Sequence, residues 1–387
     1  MTREISQRLR SVQDPVIAVV NDLVQAMPGT ISLGQGIVHY GPPSETLERL
    51  IDFNSGPGNH IYQDVSGIPA LREAIRHKLS NENGISLDNR DVVVTAGSNM
   101  GFINAILSIT DPGDEIILLG PYYFNNEMAV RIGGCVPVVV ATDENYQPCL
   151  DLIEAAITPR TRAVVTISPN NPSGVVYDKE ILLKINQLCF KCNVYHITDE
   201  AYEYFVYGSA EHAYTAAFPE SNDHTISLFS LSKSYGFASW RIGYMLIPEH
   251  LMNPVLKIQD TNLICPPVVS QYGALGALQA GPDYCKPFVE GLNNVRLLVK
   301  DALDGNQHVQ LAHTEGAFFY LMKVITTMPA MELATRLIKE HMVALVPGDA
   351  FGLSDGCYLR LSYGALEANT VDEGVGRFVD GIDSIVQ

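Results

Sequence analysis

The sequence is poor in basic residues, and this shortage excludes several classes of binding protein. Lysine and arginine together number 25, against 43 aspartate and glutamate residues, so the 387-residue chain carries a net charge of −18. Nucleic acids and anionic membrane surfaces are bound mainly through lysine and arginine. We therefore expect neither as a partner, although a local basic pocket for a small anion is compatible with this composition.

Long apolar runs and paired cysteines are also missing. No segment approaches the roughly eighteen apolar residues of a membrane helix, and the first twenty residues lack the pattern of a signal peptide. Seven scattered cysteines indicate reduced thiols, and hence the cytoplasm. Cys189 and Cys192 form a C-x-x-C motif in a segment of helical pattern, with no second pair at zinc spacing. We expect two core thiols there and no metal site.

The apolar content instead indicates a folded chain with an extensive sheet. Hydrophobic residues make up 47% of the sequence, and its length suits two or three domains of about 150 residues. Short continuous apolar segments separated by helical stretches are typical of a mostly parallel sheet with helices on both faces. Seven such segments occur: Asp91–Thr95, Glu115–Leu119, Val136–Ala141, Ala163–Ile167, Val194–Thr198, Thr225–Phe229 and Ile242–Ile247.

The last hundred residues follow a different pattern. Two short strands flank the turn HTEG, and a helix over Ala330–His341, a strand over Cys357–Tyr363 and a helix from about Val371 follow. This order predicts a smaller α+β domain. We expect residues 46–285 to form a large domain, and residues 1–45 with 286–387 to form a discontinuous small one. The segment Gly352–Gly356 fits the G-x-S-x-G pattern of hydrolases, but its context predicts a loop.

Polar side chains gather where three of the predicted strands end. The fourth strand is followed by SPNNPSG, the fifth by DEAY and the sixth by SLSKSYGFASWR; they present Asn171, Asp199, Tyr202, Ser230, Lys233 and Arg241. The carboxyl ends of parallel strands meet at one edge of a sheet, which is where ligands of α/β proteins bind. We therefore expect these side chains to surround one site.

This set of side chains matches the contacts that pyridoxal phosphate requires. A lysine near other cations has a lowered pKa and forms imines, and a serine with an arginine binds a phosphate. A buried carboxylate suits a protonated ring nitrogen, while an amide and a phenol suit a ring oxygen. Together they predict pyridoxal phosphate as the cofactor.

The motifs around these residues resemble those of the fold-type I pyridoxal-phosphate-dependent aminotransferases of class I/II. SLSKSYGFASWRIGY resembles the family's lysine segment, SPNNPSG its Asn-Pro-Thr/Ser-Gly turn and DEAY its Asp-x-x-Tyr. TAGSNM resembles its phosphate-binding loop, and YLRLSYG its C-terminal arginine segment. Each motif alone is modest evidence for the family. Five motifs in the family's order, spread over nearly the whole chain, are highly specific evidence. The resemblance implies an α/β fold of three layers, with a mostly parallel seven-stranded sheet and a smaller α+β domain.

The resemblance also implies how the cofactor is held. Lys233 holds pyridoxal phosphate as an aldimine and later moves protons, and Asp199 pairs with the ring nitrogen. Asn171 and Tyr202 form hydrogen bonds to the ring oxygen. The phosphate contacts are Gly97, Ser98, Asn99, Ser230 and Arg241.

For the substrate, the resemblance implies that Arg360 binds the α-carboxylate beside Asn171. Gly36 in LGQG allows the backbone to approach that carboxylate, and Gly34 competes for this role. Pro266–Pro267 and the nearby Ile37, Val38 and Tyr40 indicate an apolar or aromatic pocket for the substrate side chain. The segment TNLICPPVVSQYGALGALQAG contains no arginine or lysine, which disfavours a clamp for a second carboxylate there.

Two aromatic roles complete the implied site. Tyr123 in GPYYF stacks on the cofactor ring, with Tyr122 and Phe124 as alternatives, since the segment that follows is one residue shorter than the commoner family pattern. Tyr62 in IYQDVSG reaches the phosphate of the neighbouring subunit, which implies a homodimer.

The activity implied by the resemblance is transamination, the transfer of an amino group from an L-amino acid to a 2-oxo acid. A carbon–sulfur lyase on the same fold is the alternative, because the same side chains would serve it. A pyridoxal-phosphate-binding regulator is less favoured. Such regulators carry an added DNA-binding region, and the acidic charge of this chain opposes DNA.

Overall fold

A computed structural model of the chain describes residues 4–386. In chain order its strands are β1 (Ile31–Ser32), β2 (Arg90–Thr95), β3 (Glu115–Gly120), β4 (Val136–Ala141), β5 (Thr161–Ile167), β6 (Tyr195–Asp199), β7 (Thr225–Ser230), β8 (Gly243–Pro248), β9 (Val309–Leu311), β10 (Phe319–Val324), β11 (Val343–Ala344), β12 (Val346–Pro347) and β13 (Cys357–Ser362). Its α-helices are α1 (Gln7–Arg10), α2 (Val16–Ala26), α3 (Ser44–Ser55), α4 (Pro69–Asn81), α5 (Ser98–Ile109), α6 (Phe124–Ile132), α7 (Leu150–Ala156), α8 (Lys179–Cys192), α9 (Leu231–Ser234), α10 (Met252–Asn262), α11 (Val268–Ala280), α12 (Lys286–Leu303), α13 (Ala330–His341) and α14 (Ala368–Ile385).

The large sheet contains all seven strands that the sequence predicts. Its order is β2-β8-β7-β6-β5-β3-β4. β8 runs antiparallel to both of its neighbours, and the remaining pairs are parallel. The prediction of a mostly parallel sheet is therefore confirmed.

Helices cover both faces of this sheet, because its side chains alternate between two apolar layers. Val93 of β2 packs in a core with α5, α6 and α10, whereas its neighbour Val92 packs in a core with α4 and α11. In β3, Leu118 joins the first core, and Ile117 faces α7 and α8 on the opposite side. The structure thus has the three layers that the sequence predicts.

A smaller domain is built around the four-stranded antiparallel sheet β12-β13-β10-β9. Its core also takes in α12, α13 and α14. The N-terminal segment contributes as well, since β1 pairs in parallel with β11, and Val20 of α2 packs with Ile338 of α13. The division at residues 45/46 and 285/286 stays a prediction.

Several strand boundaries differ from the prediction by one or two residues, and the start of the last helix differs by three. The last helix begins at Ala368 and not near Val371, because the backbone N–H groups of Thr370 and Val371 already bond to the carbonyl of Glu367. The segment Gly352–Gly356 is a loop before β13, as predicted. Within residues 4–386, no helix has both the length and the apolar character needed to cross a membrane.

Candidate active site

A cleft of about 410 Å³ opens at the carboxyl edge of the large sheet. Asn171 follows β5, Asp199 ends β6 and Ser230 ends β7, so three adjacent strands each deliver one polar side chain to its wall. Arg360 enters from β13 and Gly36 from the segment after β1. The cleft therefore collects residues from both ends of the chain and from its middle.

One end of the cleft is suited to an anion. Ser98 and Asn99 form the first turn of α5, whose free backbone N–H groups favour negative charge. Gly97 precedes them with a φ of +80°, and a Cβ atom on it would overlap the Arg241 guanidinium. Arg241 donates from Nη1 to the Ala238 carbonyl at 3.0 Å, which holds it beside this turn.

Lys233 lies in α9, a single helical turn that starts after Ser230. The Ser230 hydroxyl caps this turn by accepting a bond from the Ser232 N–H at 3.2 Å. Lys233 Nζ donates to the Gly36 carbonyl at 2.5 Å. Burial, helped by Arg360, lowers the pKa of Lys233 from 10.5 to about 8. About a tenth of this amine is therefore uncharged, and nucleophilic, at pH 7, a far larger fraction than for an ordinary lysine.

Asp199 is buried at the end of β6 and accepts one hydrogen bond, from the Ala201 N–H at 3.0 Å. Burial raises the pKa of Asp199 from 3.8 to about 7, against the opposing effects of the Ala201 N–H and of Lys233. A cation bonded to this carboxylate would restore its charged form. Nearby, Asn171 Nδ2 donates to the Tyr202 hydroxyl at 3.4 Å, and burial raises the pKa of that phenol.

Arg360 is buried at the other end of the cleft, with 2% of its surface exposed. Its Nη1 donates to Asn171 Oδ1 at 2.8 Å, and its Nη2 donates to the Gly34 carbonyl at 2.7 Å. Within the described residues, its Nε has no acceptor. Burial lowers the pKa of Arg360 to about 10, so the group stays charged at neutral pH. Three of its five N–H donors remain for an anion.

The residues that the sequence leaves as alternatives for the same role lie at different positions in the structure. Tyr123 and Phe124 line the cleft, while Tyr122 packs below it against the core of the large sheet. Gly36 lines the cleft. Gly34 does not line it, and its carbonyl accepts a hydrogen bond from Arg360. The individual roles of Tyr123 and Gly36 stay predictions.

Some predicted residues lie away from the cleft. Tyr62 is 77% exposed and borders a separate surface depression together with Pro266–Pro267. Of the residues expected around the substrate side chain, Ile37 lines the cleft, but Val38 and Tyr40 are buried behind it. The sequence does not indicate which side of the backbone an aromatic or apolar side chain in a loop will face.

Tyr40 instead supports the lysine segment from behind. Its hydroxyl donates to the Lys233 carbonyl at 3.0 Å, and its ring stacks on Phe288 of α12 with 3.9 Å between centroids. Tyr284 adds a bond from its hydroxyl to the Gly41 carbonyl at 2.5 Å. This Tyr40 junction ties the N-terminal segment, the lysine turn and the start of α12 together.

Several cleft residues were not found from the sequence. Ser232 lines the cleft next to Arg241 and lies inside the Ser-x-Ser-Lys motif, which could have identified it. Ile17 and Asn21 of α2, and Gln35 after β1, also line it, but they belong to no recognisable motif. Their place depends on how α2 packs against the rest of the chain.

Comparisons with known proteins agree with this geometry. The family model "Aminotransferase class I and II" matches residues 28–378. The chain belongs to this family. An aromatic aminotransferase of Arabidopsis thaliana is 32% identical over 99% of this chain and 97% of its own length. A probable aspartate/prephenate aminotransferase of Aquifex aeolicus is 34% identical over 85% of each chain. The structure of Thermus thermophilus aspartate aminotransferase with maleate superposes with a TM-score of 0.89 at 30% identity, covering 98% and 100% of the two chains.

The family depends on pyridoxal phosphate, and the cleft of this aminotransferase fits that cofactor. The first turn of α5, with Gly97 and Arg241, leaves room for a phosphate that a larger side chain would fill. In the described part of the chain Asp199 accepts a hydrogen bond only from the Ala201 N–H and forms no ion pair, which suits a ring nitrogen. The buried amine of Lys233 faces the same space.

We expect Gly97→Ala to weaken pyridoxal phosphate binding by at least about tenfold, because the new methyl group displaces the Arg241 guanidinium. Gly84→Ala is the matched control. Gly84 also has a positive φ, +65°, but a Cβ there meets no neighbouring atom. Fluorescence titration of the cofactor-depleted proteins measures both dissociation constants. Equal losses in the two variants would show that backbone strain, and not the phosphate site, causes the effect.

Proposed function

We propose that this aminotransferase acts through Lys233 on amino acids with an uncharged, apolar or aromatic side chain. The observation that carries the proposal is that Lys233, Asp199 and Arg360 share one cleft. Burial shifts the pKa values of all three groups. Each of these three groups matches one part of the reaction. The amine moves protons, the carboxylate holds the cofactor ring and the guanidinium holds the substrate carboxylate.

The residues that would hold pyridoxal phosphate form two groups. The first turn of α5, with Ser230 and Arg241, suits the phosphate, and Asp199, Asn171 and Tyr202 suit the ring. When bound, the cofactor supplies an aldehyde carbon that links to amines and a ring that withdraws electrons from the reacting carbon. Asp199 favours the electron-poor form of that ring, because an ionised carboxylate stabilises a protonated nitrogen beside it.

Lys233 is the general base and acid of the proposal. Its pKa of about 8 lies close to neutral pH, so the amine both accepts and returns a proton readily. The Tyr40 hydroxyl fixes the backbone of this residue, while Nζ, at the end of a flexible side chain, is bonded to the Gly36 carbonyl. A positioned backbone with a long side chain suits proton transfer between two nearby carbons once the amine leaves that carbonyl.

Arg360, Asn171 and Gly36 form the proposed carboxylate site. The guanidinium offers the Nη hydrogens that are not already bonded, and Asn171 bonds to Arg360 and so holds its plane. Gly36 has no side chain to obstruct the approach, and a Cβ there would lie 3.3 Å from the Phe319 ring. A carboxylate held in this way fixes the Cα atom of the substrate near Lys233.

The substrate preference rests on the charges of the cleft lining. Among the described residues that line it, the cations are Lys233, Arg241 and Arg360, and all three have proposed roles. Ile17, Ile37 and Phe124 contribute apolar surface. The names of the relatives divide between aspartate and aromatic aminotransferases. The absence of a fourth cation from this lining favours a substrate without a second carboxylate.

A homodimer is the proposed assembly. Tyr62 is exposed and does not line the cleft of its own chain, so a role at a cofactor site requires a neighbouring copy. Exposed Ile61 and the exposed Leu47 and Ile51 of α3 give this region an apolar surface.

The cytoplasm is the proposed location, since all seven cysteines are free, and cell fractionation would reveal any other compartment.

Lys233→Ala should lower turnover by at least about a thousandfold, because general acid–base catalysis alone contributes about 10²–10⁴-fold. In the unaltered enzyme, an amino acid should shift the visible absorption band of the bound cofactor, and a 2-oxo acid should restore it. Lys191→Ala, which removes an exposed lysine, is the control. Near-normal activity of Lys233→Ala would disprove the assignment. Pyruvate and ammonia formed from cystathionine without a 2-oxo acid would favour the lyase.

For the substrate side chain, we expect phenylalanine or methionine to exceed aspartate in kcat/KM by at least about tenfold, since no lining cation compensates a second carboxylate. Asn21→Lys should narrow this difference by adding a cation to the lining. Steady-state assays with a panel of donors give the ratio directly. A strict preference of the unaltered enzyme for aspartate would refute the proposed specificity.

Mixing two inactive variants tests the role of Tyr62. In a mixed dimer of Tyr62→Ala and Lys233→Ala subunits, one site has an intact lysine together with the partner copy's intact tyrosine. We expect such a mixture, refolded together, to be more active than either variant alone. Activity no higher than that of the Tyr62→Ala variant would mean that the tyrosine serves its own chain.

A further inference from the structure

The charge of Arg360 is compensated in an unusual way. Its guanidinium carbon lies 4.6 Å from the centroid of the Phe319 ring and 5.0 Å from that of Phe351. Its two hydrogen bonds go to neutral oxygens, those of Asn171 and Gly34. Within residues 4–386 it forms no ion pair with a carboxylate.

A buried cation without a counter-ion is costly, and the aromatic pair Phe319 and Phe351 offsets part of that cost. The face of an aromatic ring carries partial negative charge and attracts a guanidinium, most strongly where water is excluded. Both phenylalanines are fully buried. Unlike a carboxylate, a ring does not occupy the N–H donors in the guanidinium plane, and within the described residues Nε has no acceptor.

Phe351 is also connected to the wall of the cleft. It packs with Val346 and Ala350 in a small apolar cluster, against which Ile17 and Phe124 are packed. Ile17 and Phe124 line the cleft themselves. Phe351 therefore contacts the guanidinium on one side and the apolar wall of the substrate space on another.

We propose that Phe351 is a positioning residue for substrate binding, which acts by holding and partly neutralising Arg360 without using its hydrogen-bond donors. The proposal rests on the role of Arg360 in the proposed function. Phe319 shares the task from β10, although it also packs against Tyr202 with 5.5 Å between ring centroids. Phe351 is the better residue to change, because it does not pack against Tyr202, and Phe124, its neighbour at 5.9 Å between ring centroids, is only an alternative for stacking on the cofactor ring.

The test is Phe351→Leu, which keeps an apolar side chain but removes the ring. The ligand is 3-phenylpropionate, an unreactive carboxylate, titrated calorimetrically into the cofactor-loaded enzyme. We expect its dissociation constant to rise about tenfold, the size expected of a desolvated cation–ring contact. KM for the amino donor should rise in parallel, while kcat and the dissociation constant of pyridoxal phosphate should change by less than about twofold.

Phe378→Leu is the matched control, since Phe378 is equally buried, in the core of the small domain. It should lower the melting temperature without weakening 3-phenylpropionate binding. Phe319→Leu is the second variant, to be used if Phe351→Leu does not fold. It should also weaken the binding of 3-phenylpropionate. Equal weakening in Phe378→Leu, or a parallel loss of cofactor affinity in Phe351→Leu, would overturn the proposal.

Arg360→Lys separates this inference from the proposed function. It should weaken 3-phenylpropionate binding strongly, because a lysine lacks the planar fork of donors. If Arg360→Lys weakens binding but neither phenylalanine variant does, the inference fails and the role of Arg360 stands. If Arg360→Lys leaves binding unchanged, the role of Arg360 fails, and the inference fails with it.

Discussion

Burial of charged groups in one cleft governs much of what this structure can do. Removing water lowers the pKa of Lys233 to about 8 and that of Arg360 to about 10, and raises the pKa of Asp199 to about 7. Among residues 4–386, no carboxylate lies close enough to either cation to cancel these shifts. The cost of desolvation is therefore left partly uncompensated, and a ligand with complementary charges recovers it on binding.

The fold brings these groups together from two different sheets. The parallel strands β5, β6 and β7 end side by side, so the order of the sheet alone brings three chemically different side chains within reach of one ligand. Arg360 comes from an antiparallel sheet with its own core. Its hydrogen bond to Asn171 crosses from one sheet to the other, which makes the carboxylate site a property of their packing.

The sequence predicts this structure best where an apolar pattern is continuous or a motif is local. The seven strands of the large sheet were predictable because their apolar runs are buried on both faces, and the polar residues at their ends followed from the parallel topology. β1 and β11, two residues each, are too short to show any periodicity. Ile17 and Asn21 lie on an ordinary helix whose packing alone brings them to the cleft. Nor does the sequence distinguish Phe351 from any other core phenylalanine.

The Tyr40 junction has a mechanical meaning. Residues 40–41 and 284–288 lie at the two points where the chain is predicted to pass between its domains. Tyr40 is bound there to the turn that carries Lys233, and Tyr284 and Phe288 contact Gly41 and Tyr40. A Cβ on Gly236, two residues after that turn, would overlap the Gly41 carbonyl, so the two backbones are in direct contact. When one body rotates against another, atoms at the pivot move least and atoms far from it move most. A rotation between the two predicted domains would therefore move the backbone of Lys233, which is bonded to Tyr40, less than it would move Arg360 on β13.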